Sequence, residues 1–382
     1  MGHRGRPRLR DPCRRSASLR QDDLRRAHRP GQQRIFWHDP GQVPHGLPVC
    51  RAGHGGQRRS SADRRIHRSI DAFQGRRQLV RDQGHARAVG SGQRAFRQTL
   101  LRRCLRRPPM TSSPDWITVG ALADGFAPQA FILPNLAELA GKTFTLHFEN
   151  GWQIEHRFAP ERLNWHAADG HSSGSAAYRA TSIRAGLYLV DFIKHEAGQS
   201  WSISLVLDTP NASFTAVIGR MPDPAETHEG LYHRALAGKP LTSVQVDFLH
   251  GSLDRPWQDG HCKHAPTDEL VGLRNQYRYS PSEVYEHIYL NERFYAWQCL
   301  KGVEQGLCDI DRCHYYKIAE QLYLFVWQEK IVPTLGLVLI DLQQHRSDGK
   351  IFGYAGASFD ALSNFPISSY CQVLNRTEYP RD

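Results

Sequence analysis

The first 109 residues contain no lysine, glutamate, asparagine or tyrosine. Their 27 Arg against 7 Asp give a formal charge of +20, whereas the rest of the chain, with 22 basic and 31 acidic residues, carries −9. The net +11 of the whole chain therefore describes neither part. Only four aromatic residues occur there, Phe36, Trp37, Phe73 and Phe96, too few to order a core. Basic arms that bind nucleic acid neutralise phosphates and commonly mix Lys with Arg. This tract scatters Arg among Gly, His, Pro and Gln without patches or period, so no nucleic-acid partner is expected. Residues 1–109 read as disordered, and as the product of translating GC-rich DNA upstream of the true start or in another frame. Met110 opens Met110-Thr-Ser-Ser-Pro-Asp-Trp116, the expected beginning of an ordinary protein.

Other absences narrow the function classes. No stretch approaches 18 apolar residues, and Thr111 to Val119 has neither a basic nor an apolar leader region, so a cytoplasmic protein without a membrane partner is expected. Beyond Met110 the cysteines, Cys262, Cys299, Cys308, Cys313 and Cys371, are odd in number and without framework spacing, as reduced thiols would be. There is no Gly-rich phosphate loop before a helix, no Gly-x-Ser-x-Gly and no His-Glu-x-x-His, which argues against nucleotide hydrolases, α/β-hydrolases and zincins. His261-Cys-Lys-His264 has no second cluster at finger spacing and reads as a solvated loop. Cys308-Asp-Ile-Asp-Arg-Cys-His314 reads as a turn held by Asp side chains between strands. Neither a metal nor a cofactor is expected.

What is present is alternation with period two. Lys142 to Phe148 and Trp152 to Phe158 flank Asn150-Gly151, a strong hairpin signal, because both residues tolerate the positive φ of a type I′ turn. Strands are expected at 178–183, 186–195, 200–207 and 213–220, with a short helix over 134–141 leading in. The same grammar returns at 283–290, 293–299, 314–319, 322–329, 334–342 and 350–354. Tripeptides match across the halves: Phe148-Glu-Asn150 with Tyr289-Leu-Asn291, Leu187-Tyr-Leu189 with Leu322-Tyr-Leu324, and Leu205-Val-Leu207 with Leu337-Val-Leu339, at offsets of 141, 135 and 132. A duplicated domain accounts for this. The expected organisation is all-β, two tandem antiparallel barrels over 110–222 and 241–382, joined by a linker at 223–240.

Gly141-Lys-Thr-Phe-Thr-Leu-His-Phe-Glu-Asn-Gly-Trp152, the Leu-Tyr-Leu tracts and Tyr285-Glu-His-Ile-Tyr-Leu-Asn-Glu-Arg-Phe-Tyr-Ala-Trp297 resemble the molybdenum cofactor biosynthesis protein F (MoaF) family, across nearly all of 112–379. The resemblance implies two lipocalin-like (calycin) domains. More distantly, each half is similar to the phenolic acid decarboxylases, cofactor-free barrels whose cavity holds a tyrosine pair, an arginine and a catalytic glutamate. In the first half the tyrosine positions fall on Leu146 and Phe148 and the glutamate on Lys194, so that barrel should be silent for this reaction. In the second half they fall on His287 and Tyr289, with Tyr295 as a third cavity tyrosine, and Trp-x-Glu falls on Trp327-Gln328-Glu329; Arg312 lies several residues out of register for the arginine.

Strand geometry points to the same residues independently. Side chains two apart share a face, so Tyr285, His287 and Tyr289 point one way. Inside a barrel their polar groups must be met by one another or by a ligand, and Glu329 would be desolvated with its pKa raised, as a general acid or base requires. Alternating aromatics also serve plain packing or outward strand pairs, and Glu329 could end its strand in solvent. The expected catalytic residues are Glu329, Arg312 and Tyr289, and the expected ligand-binding residues Tyr285, His287, Tyr295, Trp297, His314, Tyr316 and Trp327. Two functions stay open: a cofactor-independent lyase in which Arg312 and the phenols hold a substrate carboxylate while Glu329 exchanges a proton, or a non-catalytic carrier or accessory protein of a pathway such as molybdenum cofactor synthesis. The expected partner is an aromatic or carboxylated small molecule, with a homo-oligomer left open.

Overall fold

The computed structural model describes residues 116–380 apart from His171, Ala197, Cys262 and Lys263. The arginine-rich tract and Met110, and with them the expected start site, lie outside the described residues. Eight strands form the first closed barrel in simple sequence order: β1 (Thr143–Phe148), β2 (Gln153–Phe158), β3 (Arg162–Ala167), β4 (Ser173–Arg184), β5 (Leu187–Glu196), β6 (Gln199–Asp208), β7 (Ser213–Arg220) and β8 (Gln245–Leu253). A second antiparallel sheet runs through β10 (Leu273–Arg278), β11 (Val284–Tyr289), β12 (Phe294–Lys301), β13 (Cys308–Ala319), β14 (Leu322–Glu329), β15 (Thr334–Asp341), β16 (Arg346–Tyr354) and β17 (Leu362–Arg376). It closes because β10 pairs with β17 and β12 with β13; the two-residue β9 (Ala265–Pro266) adds to the outer side of β13. The chain is all-β in two tandem barrels, as its alternation indicates.

Several local expectations are corrected. Residues from 241 on were expected in the second barrel, yet β8 lies between β7 and β1 and closes the first, pairing Val217 with Phe248 and Leu146 with Leu253. Two short helices, α2 (Pro224–His228) and α3 (Leu231–Leu236), carry the chain to it. Residues 134–141 are not helical: Asn135 Oδ1 accepts from Ala180 N–H at 2.8 Å and Leu136 N–H donates to Ala180 C=O at 2.8 Å, so β4 holds this tract open. The hairpin after β1 is the three-residue form with a single left-handed glycine. Gly151, at φ 89°, donates to Phe148 C=O, and Asn150 stays outside the positive-φ region while its side chain accepts from Trp152 N–H. The tract 308–314 is the start of β13, not a turn. Counted along the meander, the Leu-Tyr-Leu tracts occupy equivalent strands, β5 and β14, but the hairpin matched at offset 141 joins β1–β2 to β11–β12, one strand out of step.

An eight-residue helix, α1 (Val119–Phe126), precedes the first barrel yet packs on the second. Thr118 caps it, and Val119, Leu122 and Phe126 turn into the second barrel's core. The chain then crosses to the first barrel, with Phe131 N–H on Tyr279 C=O and Leu136 N–H on Ala180 C=O. Between the barrels lies a third apolar core containing Leu187, Leu189, Val206, Leu324, Val326 and Leu337. This explains why β14 and β15 read as continuous apolar runs. Leu322, Leu324 and Val326 face the first barrel, while Tyr323, Phe325 and Trp327 face their own lumen. Each fully buried Leu or Val side chain in such a core contributes roughly 1.5–3 kcal/mol.

Candidate functional site

The parity of β14 places Glu329 with Phe325 and Trp327 on the lumen side. Opposite strands bring in the rest through their registers: Tyr277 pairs with Tyr285, His287 with Trp297, and Tyr295 with Asp311. Tyr289 also points inward, but deep in the core, where its hydroxyl lies 2.5 Å from that of Tyr277. Tyr289 and Glu329 therefore share the interior side, although Tyr289 does not touch the cavity.

That cavity, about 30 Å³, is framed by Tyr285, His287, Tyr295, Trp297, Trp327 and Glu329 and is also lined by Leu122 and Phe126 of α1. Its volume corresponds to about one water molecule. His287 lines it, its ring 4.6 Å from that of Tyr277 and 5.1 Å from that of Tyr295, and among the described residues its Nδ1 has no hydrogen-bond partner. Burial drives its pKa down to about 3, so the imidazole is neutral and can both donate and accept.

Two carboxyl groups are each held by a lumen tryptophan. Trp327 Nε1 donates to Glu329 Oε1 at 2.9 Å, and Trp297 Nε1 to Asp311 Oδ2 at 2.9 Å. Glu329 ends its strand and is partly exposed as a residue, but its carboxyl is desolvated, and burial followed by the neighbouring charges of Asp311 and Glu304 pushes its pKa well up. Asp311 is also raised by burial, yet it holds a cation that Glu329 lacks: Lys330 Nζ, 3.3 Å from Asp311 Oδ1 and 2.5 Å from Asp309. Lys330 thus offsets the effect of burial on Asp311, whereas no cation offsets it on Glu329, and the carboxyl pushed further up is that of Glu329. Glu304, which accepts from the Tyr285 hydroxyl at 3.0 Å, is raised by burial as well.

Three of the expected residues are elsewhere. Asp311, Cys313 and Tyr315 have the inward parity of β13, so Arg312, His314 and Tyr316 point out of the lumen. His314 and Tyr316 pack at a tilt against Phe248 of the first barrel, at 4.9 and 4.8 Å between ring centroids. The guanidinium expected to hold a carboxylate is thus absent from the chamber. Residues that the sequence reading passed over are Asp311, Glu304, Tyr277, Tyr279 and the α1 side chains. Asp311 was open to discovery, since it neighbours Arg312 with the opposite parity and pairs with Tyr295. The cysteines Cys299, Cys308, Cys313 and Cys371 are free thiols. His264 Nδ1 lies 2.8 Å from Thr215 Oγ1, and the neighbouring Cys262 is outside the described residues. Among the described residues no helix is long and apolar enough to cross a membrane.

Comparison with known proteins agrees with this division into halves. Residues 114–223 match the MoaF N-terminal domain and residues 264–377 the MoaF C-terminal domain. Protein MoaF of Klebsiella aerogenes is 46% identical over 271 residues, covering 71% of this chain and 99% of that protein. The chain belongs to the MoaF family. Residues 224–263, which include the closing strand β8, fall between the two family matches. A crystal structure of a putative beta-lactamase from Burkholderia vietnamiensis aligns over 29% of this chain and all of its own at 15% identity and a TM-score of 0.25, too slight a likeness to bear on fold or function.

Proposed function

We propose that the second barrel of this MoaF-family protein is a binding chamber for a small aromatic molecule, in which the neutral Glu329 carboxyl donates a hydrogen bond or a proton to the ligand. The observation that carries this reading is the Glu329 carboxyl, held by Trp327 Nε1 at 2.9 Å at the wall of an aromatic chamber, where burial and the charges of Asp311 and Glu304 push its pKa up. Rings flanking the space supply apolar area at little entropic cost, and the unpartnered His287 Nδ1 is an orienting contact. The chamber wall holds Glu304 and Glu329 and no cationic side chain, so the favoured ligand is uncharged or carries an amine; a carboxylate would be desolvated without a partner. The space as it stands admits about one water, so a ligand the size of an aromatic ring requires side chains that line it, among them Leu122 and Phe126 of α1, to move.

The enzyme reading makes Glu329 the general acid or base of a cofactor-independent lyase. Such a group typically contributes about 10²–10⁴ in rate. The carrier reading, in which the chamber shelters a metabolite or serves a pathway such as molybdenum cofactor synthesis, is favoured by one specific observation: Arg312 lies on the outer face, leaving no carboxylate clamp inside. Melting-temperature shifts across neutral, amine-bearing and carboxylated small aromatics identify binders, and Glu329→Gln then separates the readings. Turnover lost by about 10²-fold or more with binding retained establishes the acid–base role. A parent protein that binds but turns over nothing is a carrier, and a parent that binds none of the aromatics refutes the chamber.

A further inference from the structure

A larger space lies outside both lumens. The outward face of β3–β5 meets β16 and β17 across a cleft of about 440 Å³, within the range of small-molecule sites. Its charges are unevenly matched. Asp191 is fully engaged, accepting from Lys350, from Ser204 Oγ at 3.0 Å and from Asn364 Nδ2 at 2.7 Å. Lys350 also donates to Ser202, so this lysine and aspartate neutralise each other. Two arginines remain. Among the described residues Arg162 bonds Ser175 alone, Nε to its Oγ at 2.9 Å and Nη2 to its carbonyl at 3.1 Å. Arg179 donates Nη2 to Leu133 C=O at 2.6 Å and makes a long ion pair, 3.9 Å, with Asp348 Oδ1, which also accepts from Ser368, so only part of its fork is committed. Register explains their convergence: Arg162 pairs with Ala177, two residues before Arg179 on the same face of β4.

A guanidinium has five donors in a planar fork suited to carboxylate or phosphate. Here most of those ten donors are unused by the protein. Asn364 adds the opposite need: its Nδ2 is committed to Asp191, and its Oδ1 is buried without a donor. Ala177, Ile193 and Pro366 supply an apolar wall. We infer that this inter-barrel cleft is a second binding site, for a small organic anion that presents a carboxylate or phosphate to Arg162 and Arg179 and a hydroxyl to Asn364. It is separate from the second barrel's lumen, since no residue borders both spaces.

Isothermal titration of the full chain with citrate and, separately, with glycerol 3-phosphate tests it and tells a carboxylate ligand from a phosphate one. Saturable binding of either probe is expected, weakened at least about tenfold by Arg162→Gln and by Arg179→Gln, the loss expected for a charge-assisted hydrogen bond. Arg157→Gln, whose guanidinium pairs with Glu155 on β2, should leave affinity unchanged. Arg162 is exposed, so its variant decides the matter should Arg179→Gln fail to fold. Absence of saturable binding by both probes, or equal affinity in the parent and Arg162→Gln, overturns the assignment.

Discussion

The two barrels share strand number, order and alternation, but they fill their lumens with different chemistry. The first is lined by Leu146, Phe148, Ile154, Leu163, Phe192 and Leu205, and its buried Lys194 is held by Glu196 at 2.8 Å and Ser172 at 3.2 Å. The second is lined by tyrosine, tryptophan, histidine and acid side chains, some of which the fold leaves without a partner. Buried polar groups cost stability unless they are paired. The first barrel also buries His156 and leaves Trp165 Nε1 without a partner among the described residues, so what distinguishes the second is the concentration of tyrosine, tryptophan and acid side chains in its lumen.

The comparison predicts its largest effect at the centre of each lumen. Phe214→Ala and Phe325→Ala should each cost about 3–5 kcal/mol in urea or thermal unfolding, because both rings are fully buried. Only the second should also abolish aromatic-ligand binding in the folded fraction. Equal loss of binding from both would erase the distinction between the barrels.

A smaller cost, about 1–3 kcal/mol, is expected for Asp311→Ala, which strands Trp297 Nε1 and removes the partner of Lys330. It also removes the charge beside Glu329, so that carboxyl should titrate at lower pH than in the parent.

Next comes pH. Burial raises Glu283, at the rim of the second barrel, to about 7, above its ordinary value in the unfolded chain. Between those values the folded state holds a proton that the unfolded state has released, so this residue makes stability fall as pH rises through the window and has no effect below it. Melting temperatures of Glu283→Gln should decline less than the parent's between about pH 5 and 7. His156 of the first barrel works the other way: burial lowers it to about 4, and its stabilising share is lost as pH falls through that range. The smallest effect is expected at Arg312→Gln, which should change aromatic-ligand affinity by less than about twofold, since the side chain faces away from the lumen. A loss of tenfold or more would restore the carboxylate clamp of the decarboxylase comparison.

Much of this was legible because a strand writes its two faces into alternate residues. Tyr285, His287, Tyr295, Trp297, Trp327 and Glu329 follow from that parity, and the chamber assembles them. The same rule, applied to β13 without knowing where its inward face began, misplaced Arg312, His314 and Tyr316 and passed over Asp311. Placement of β8 was not legible, because a strand at a domain junction carries no mark of which sheet it will close. The helix α1 was hidden by its brevity and by Gly120 and Gly125. Gly125 is there because a Cβ would lie 2.4 Å from Val303 Cγ1, a restriction set by the second barrel and invisible in local sequence. The inter-barrel cleft depends on β4 and β17, far apart in the chain, meeting in space.

The account stands on Glu329 being protonated inside the second barrel. Following its carboxyl carbon by NMR in the full chain, assigned by its disappearance in Glu329→Gln, measures this directly. The carboxyl should titrate clearly above the usual glutamate value of about 4.3. Titration near that ordinary value would place the group in water and contradict the chamber.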